Sequence, residues 1–162
     1  MTESTTLITI WDAILTFLIG MLPIMEAKGA IIYGVSVLKL SPLVAFVAGT
    51  LGNMVACAIL VTILEPITLW MRRHSKRLDG WVEWIFDHTR TKHKKMMGKI
   101  GHIALLLWVA APFPGTGGWS GSLIAHVFGV NKRSAFWMIE IGTLISGTLV
   151  FLGASGVIHF FF

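Results

Sequence analysis

Two short stretches place reactive groups among residues that are otherwise apolar. In LPIMEAKGA, residues 22–30, Glu26 and Lys28 stand two positions apart. An ionisable side chain in such surroundings costs at least a few kcal/mol unless it is paired, hydrated or functional. Glu26 is therefore a candidate proton carrier. Lys28 could hold it ionised or could meet an anionic substrate; desolvation and the ammonium pull the Glu26 proton in opposite directions, and the sequence leaves both open. In AAPFPGTGGWSG, residues 110–121, two prolines and four glycines fall within twelve positions. Within it Pro114, Gly115, Thr116, Gly117, Gly118, Trp119 and Ser120 form a candidate binding segment. Its glycines let the backbone turn and approach a ligand closely, and Trp119 opens a helix whose first N–H groups face the break unpaired. Such an end, helped by Thr116 and Ser120, favours a phosphate or carboxylate. The competing reading is that Gly and Thr here only permit tight helix packing.

Further polar groups lie in the longer apolar runs. Gly49, Thr50, Gly52 and Asn53 on one, and Gly142, Thr143, Ser146 and Gly147 on the other, have the small side chains and hydroxyls of close helix contacts. Asn53 stands apart, because a buried amide needs several partners and is a candidate to face a binding cavity. Glu140, six residues into the last run, is either a relay partner for Glu26 or an interfacial acid beside Lys132 and Arg133.

The elements that must position these groups come in two lengths. Crossing about 30 Å of hydrocarbon takes about 20 helical residues. Residues 42–64 and 135–162 are long enough; 7–22, 29–40, 100–111 and 119–130 each read as half a crossing. The order half-helix, break, half-helix, full span occurs twice, with AGTLGN and IGTLIS at matching places in the two spans, 26 residues after Pro23 and 28 after Pro114. An internal repeat is expected from this correspondence. If each broken pair is a re-entrant hairpin, each half crosses once and the halves run in opposite directions, the inverted-repeat plan of many transporters. Non-helical backbone at membrane depth is tolerated only inside protein or beside a wet cavity, so the breaks mark such a place.

Composition sets the class. With 55% hydrophobic residues, 13% charged residues and a mean hydropathy of +0.78, the chain carries more apolar surface than one soluble core hides, as expected of an integral membrane protein. The N-terminus lacks the basic flank and small-residue cleavage site of a secretory signal, so the first apolar run is expected to be retained. Cys57, the single cysteine, excludes a disulfide framework and reads as a structural or bystander thiol. Nine Lys or Arg against three acids lie between Arg72 and Lys99, which places this linker in the cytoplasm by the positive-inside rule, with Lys132 and Arg133 on the same side. Within it Leu78, Trp81, Val82 and Ile85 recur at helical spacing, widened by Trp84 and Phe86. This pattern predicts an amphipathic helix lying on anionic lipid. The basic charge is thereby explained without a nucleic-acid partner. The histidines have no metal-ligand spacing and no Walker-type segment occurs. GWSGS around Ser120 lacks the strand that a nucleophile elbow needs. Neither enzyme, metal nor cofactor is expected.

LPIMEAKGAIIYG and PFPGTGGWSGSLIAHVFG closely resemble the two signature segments of the small multi-drug export family, within the wider DedA superfamily, and the likeness covers nearly the whole chain. Family members usually carry Arg where Lys28 stands; the charge is kept but bidentate anion geometry is lost. The resemblance implies two opposed re-entrant hairpins with adjoining spans, often as a homodimer in the inner membrane, and proton-linked transport or movement of lipid-carrier phosphates. The expectation is an all-α membrane protein with a first repeat over residues 7–70, a linker over 71–99 and a second repeat over 100–162. Protons, membrane lipids and an anionic or amphipathic substrate are its expected partners. A scramblase or flippase without ion coupling, or a non-transporting scaffold, are the alternatives.

Overall fold

The computed structural model of the chain describes residues 2–113 and 115–154. Among these residues the secondary structure is helical, in seven helices: α1 (Thr2–Gly20), α2 (Glu26–Ser36), α3 (Pro42–His74), α4 (Lys76–Ile100), α5 (His102–Ala110), α6 (Gly118–Val127) and α7 (Lys132–Ala154).

Turn chemistry sets most of the boundaries. Pro23 lacks the N–H that a continuing helix needs, and residues 21–25 form turns between α1 and α2. Ser41 caps α3 by accepting a hydrogen bond from the Val44 N–H at 3.4 Å, with Pro42 at the first helical position. Gly129, at φ 66°, ends α6 in the left-handed conformation, and the Asn131 side chain accepts from the Arg133 N–H at 3.0 Å as α7 begins.

Several boundaries differ from the sequence expectation. α1 starts at Thr2, five residues before the apolar run. α2 and α6 start and end early, at Glu26–Ser36 and Gly118–Val127, because turn residues close both ends. α5 is shorter at each end than the expected 100–111. α7 begins at Lys132, and the expected end of its span near Phe162 lies outside the described residues. The largest difference is α3, expected to end near residue 64 but continuing through Pro66 to His74. An interior proline costs about 3 kcal/mol through one lost hydrogen bond and a ring clash. Ending the helix there would instead strand up to four carbonyls in apolar surroundings.

The helices form two trios. α1, α2 and α3 pack on one another, as do α5, α6 and α7; the trios meet through α3 against α7 and α6, and α2 against α7. α3 and α7 are antiparallel. Thr50 lies beside Gly147, Asn53 is bonded to Thr143, and Glu65 pairs with Lys132, so rising numbers on one helix face falling numbers on the other. Cys57, Leu105, Val109, Ile124, Ala125, Ala135 and Ile139 form the core where α3 and the second trio meet. Among the described residues α3 and α7 are long and apolar enough to cross a membrane, with mean hydropathies of 2.1 and 1.7.

Glycine sets the closest helix approach. A Cβ at Gly52 would overlap the Phe17 carbonyl, holding α1 against α3 backbone to backbone. Gly52→Ala is expected to cost about 1–3 kcal/mol, because backbone rather than a side-chain end must move. Thermal unfolding of the detergent-solubilised protein measures this, and an unchanged midpoint would refute the contact.

α4 packs on α3, α5 and α6. The apolar face expected on lipid is divided: Trp81 and Trp84 point outward and are mostly exposed, whereas Val82 turns inward and is buried with Thr89 and His93. Phe86 meets His126 edge-on at 5.5 Å, and the Arg90 guanidinium lies over Phe86 while donating to the Val127 carbonyl at 3.3 Å. The His93 ring stands edge-on to Trp108, with centroids 4.7 Å apart. Burial, with Lys92 and His88 adding to it, holds the His93 imidazole below its ordinary pKa.

Candidate functional site

The two breaks meet in the interior, and each charge of the first addresses a backbone end of the second. Glu26 is the first residue of α2 and takes φ 51°, a left-handed conformation unusual for a residue with a side chain. Its N–H remains bonded to the Leu22 carbonyl at 2.9 Å, so the turn is closed from within. The side chain is 4% exposed and crosses to the start of α6, where its Oε1 accepts from the Trp119 N–H at 3.2 Å. The carboxylate thereby sits at the positive end of α6 and takes one of its unpaired donors.

Lys28, one half-turn further along α2, reaches the same break. Its Nζ donates to the carbonyls of Phe113 at 2.9 Å, Thr116 at 3.2 Å and Ala111 at 3.3 Å. An ammonium has three donors, and three carbonyls from the break take them. Glu26 Oε2 lies 4.0 Å from the same nitrogen. The Thr116 hydroxyl shares its one proton between the Ala111 and Phe113 carbonyls, 2.8 Å from each, and the Trp119 indole donates to the Met21 carbonyl at 3.2 Å. Non-helical backbone is thus satisfied by side chains of both breaks.

Gly117 and Gly118 make room for this meeting. A Cβ at Gly117 would overlap the Glu26 carboxylate, and one at Gly118 would overlap Cys57 Sγ. The Ser120 hydroxyl accepts from the Gly117 N–H at 3.2 Å and from the Trp108 indole at 3.1 Å. Gly115, at φ 79°, turns the chain on the exposed side of the break. Pro114 lies outside the described residues.

Asn53 is 1% exposed and lies beneath Gly118. Its amide donates to Thr143 Oγ1 at 3.1 Å and to Cys57 Sγ at 3.6 Å, while Oδ1 has no partner. Glu140 is 1% exposed, near Cys57, and neither carboxyl oxygen has a hydrogen-bond partner. Lys132 pairs with Glu65 at 2.6 Å rather than with Glu140. Of the residues singled out in the sequence, Glu26, Lys28, Thr116, Gly117, Gly118, Trp119 and Ser120 come together directly. Asn53 forms the layer below, and Glu140 is buried on α7 one turn before Thr143.

Sequence reasoning passed over Ser122, Trp108 and the Glu65–Lys132 pair. Glu65 carries the one visible signal, an acid at the end of an apolar run. Nothing local marks Ser122, whose hydroxyl donates to the Gly118 carbonyl at 2.7 Å.

A family model described as "Putative small multi-drug export protein" matches residues 26–149, from the Glu26 turn to the last third of α7. No curated protein and no solved structure matches the chain.

Proposed function

The chain belongs to this family of membrane proteins, and from that premise we propose that it is a small transporter of the inner membrane that binds a proton and an anionic or amphipathic substrate together at the meeting of its two breaks. The observation that carries this reading is the position of Glu26. Its carboxylate occupies the start of α6, the place where a substrate phosphate or carboxylate would be held.

In this proposal α1–α2 and α5–α6 are re-entrant hairpins of an inverted repeat, as in the DedA superfamily. Ser41 and Ser134, Gly49 and Gly142, and Thr50 and Thr143 share the 93-residue separation of Glu26 and Trp119. Antiparallel α3 and α7 give the two halves opposite directions. Arg72, Arg90 and Lys132 gather where α3 ends and α7 begins, which is the cytoplasmic end by charge.

Protonating Glu26 removes the charge that holds it to the Trp119 N–H and to Lys28. The Trp119 N–H is then open to an incoming anion, which takes the vacated place beside the Lys28 charge as the halves rock to the other side. Proton and anion binding are coupled, and by linkage each strengthens the other. Anion affinity therefore rises as pH falls through the range where Glu26 titrates.

The test uses the full chain in liposomes with a fluorescent short-chain phosphatidic acid as probe. The proposal expects an imposed pH gradient to drive probe movement and to be dissipated by it. Glu26→Gln should fold and lose at least about tenfold of the driven rate, equivalent to 1.4 kcal/mol. Movement indifferent to the gradient in the unaltered protein would replace coupled transport with lipid scrambling, and no movement at all would refute transport of this class.

A further inference from the structure

α3 ends at His74 and α4 starts at Lys76, so the first turns of the linker stand next to the end of a helix long and apolar enough to cross a membrane. That end carries Trp70, Arg72 and Arg73, residue types that sit at the level of lipid headgroups on a cytoplasmic boundary. From Lys76 to Trp84 is about 12 Å of helix. The outward face of these turns holds an open groove of about 520 Å³ lined by Lys76, Arg77, Gly80, Trp81 and Trp84.

At helical spacing the five residues make two adjacent columns, Lys76, Gly80 and Trp84 in one and Arg77 and Trp81 in the next, each with a cation at one end and an indole at the other. Trp81 is 64% exposed and Trp84 61%, the latter with its ring stacked on His88 at 5.4 Å. Two large apolar rings side by side in water form a surface that favours cover. Among the described residues neither the Lys76 ammonium nor the Arg77 guanidinium meets a carboxylate. Asp79 is turned to Arg72 at 3.7 Å, and no acid lines the groove.

Gly80 opens the slot. A glycine inside a helix costs up to about 1 kcal/mol relative to alanine, and Gly52 offsets that cost by letting α3 touch the Phe17 backbone. A Cβ at Gly80 would meet nothing within 4 Å among the described residues. Packing within the chain therefore does not explain this glycine, whose missing side chain keeps the column open between Lys76 and Trp84.

We propose that this slot holds one anionic phospholipid, its phosphate between Lys76 and Arg77 and the start of an acyl chain lying over Gly80 between Trp81 and Trp84. Two cations without a counter-charge favour a headgroup of net negative charge over a zwitterionic one, whose own ammonium they repel. What the structure adds to the expected lipid face is thus a headgroup-selective site, distinct from an apolar surface on which any lipid can lie.

The site is tested with the full chain in phosphatidylcholine vesicles containing a varied fraction of phosphatidylglycerol brominated on its acyl chains, because bromine quenches tryptophan on contact. The fluorescence of Trp81 and Trp84 is the difference between the unaltered protein and Trp81→Phe, Trp84→Phe. It should be quenched at an at least about fivefold lower mole fraction of brominated phosphatidylglycerol than of brominated phosphatidylcholine, the effect of one basic residue near anionic lipid. That preference should shrink at about 1 M salt, where charges are screened within about 3 Å. Lys76→Gln, Arg77→Gln should abolish it. Gly80→Leu fills the slot without a clash and gains helix propensity, so it should fold and lose the preference too. Equal quenching of the unaltered protein by both lipids would reduce the groove to a surface in bulk lipid, and no quenching by either would give it to water or to a protein partner; each overturns the site. A preference undiminished in Gly80→Leu overturns the slot, and one undiminished in Lys76→Gln, Arg77→Gln overturns the phosphate contact. Nothing in this assay moves a substrate, so its outcome is separate from that of the transport test.

Discussion

Lys28→Met is expected to destabilise the fold by about 3–5 kcal/mol, the usual cost of removing one partner from a buried charge pair. Three carbonyls, of Ala111, Phe113 and Thr116, lose their common donor at once. Glu26 Oε2 loses its counter-charge as well. Methionine replaces the volume of the stem, so the loss reports the ammonium rather than a hole. Thermal unfolding in detergent, followed by tryptophan fluorescence, gives the shift, and Trp119 and Trp108 report from beside the break. Adding Glu26→Gln to Lys28→Met should recover part of the loss, because the stranded carboxylate is then neutral. Lys28→Arg should cost less, since the charge stays while the planar fork cannot reach three diverging carbonyls equally. A Lys28→Met protein as stable as its parent would mean that these carbonyls find other donors and that the two breaks are not locked together.

The second large effect belongs to Gly118. Alanine there drives a methyl group into Cys57 Sγ and presses on Asn53, at the point where α6 begins. Overpacking of a filled interior costs about 1–3 kcal/mol and here falls on backbone that must stay within reach of Glu26. The cause is separable. Cys57→Ala removes the sulfur, so the double variant Gly118→Ala, Cys57→Ala should be more stable than Gly118→Ala alone. Its coupling should be at least about 0.5 kcal/mol, the lower limit seen for residues in direct contact. Gly117→Ala has no such suppressor in Glu26→Gln, because glutamine fills the same space as the carboxylate. Additive losses at Gly118 and Cys57 would show that the two do not touch.

Much of this arrangement was visible in the residue order. Proline, glycine and charge interrupting apolar runs located both turns, and the repeated Gly-Thr-Leu pointed to the two long helices that meet at Thr50, Asn53 and Thr143. What local pattern could not show is which groups face which. Glu26 and Lys28 read as neighbours that either pair or bind a substrate, yet their main partners lie more than eighty residues away in the chain. Asn53 read as a cavity-facing amide, and its donors go to Thr143 and Cys57. The Glu65–Lys132 pair and the role of Ser122 depend on the crossing of α3, α6 and α7, a tertiary fact with no period in the sequence. α3 outran its apolar stretch because hydrophobicity marks where a helix is dry, whereas hydrogen bonding decides where it ends. The linker's tryptophans, expected to face away from the other helices, do so, but Val82 on the same expected face turns inward, because the inward side is set by what α5 and α6 offer, namely Trp108 and His126.

The contact of His93 with Trp108 has a mechanical consequence. That indole is bonded to Ser120, which in turn holds the Gly117 N–H, so an unbroken series of touching groups runs from the linker to the turn at which the helices meet. A displacement of α4 at His93 would therefore be felt at the Trp108–Ser120 bond. The linker is thus joined by direct contacts to the place where the two breaks meet, as well as being a tether between two halves.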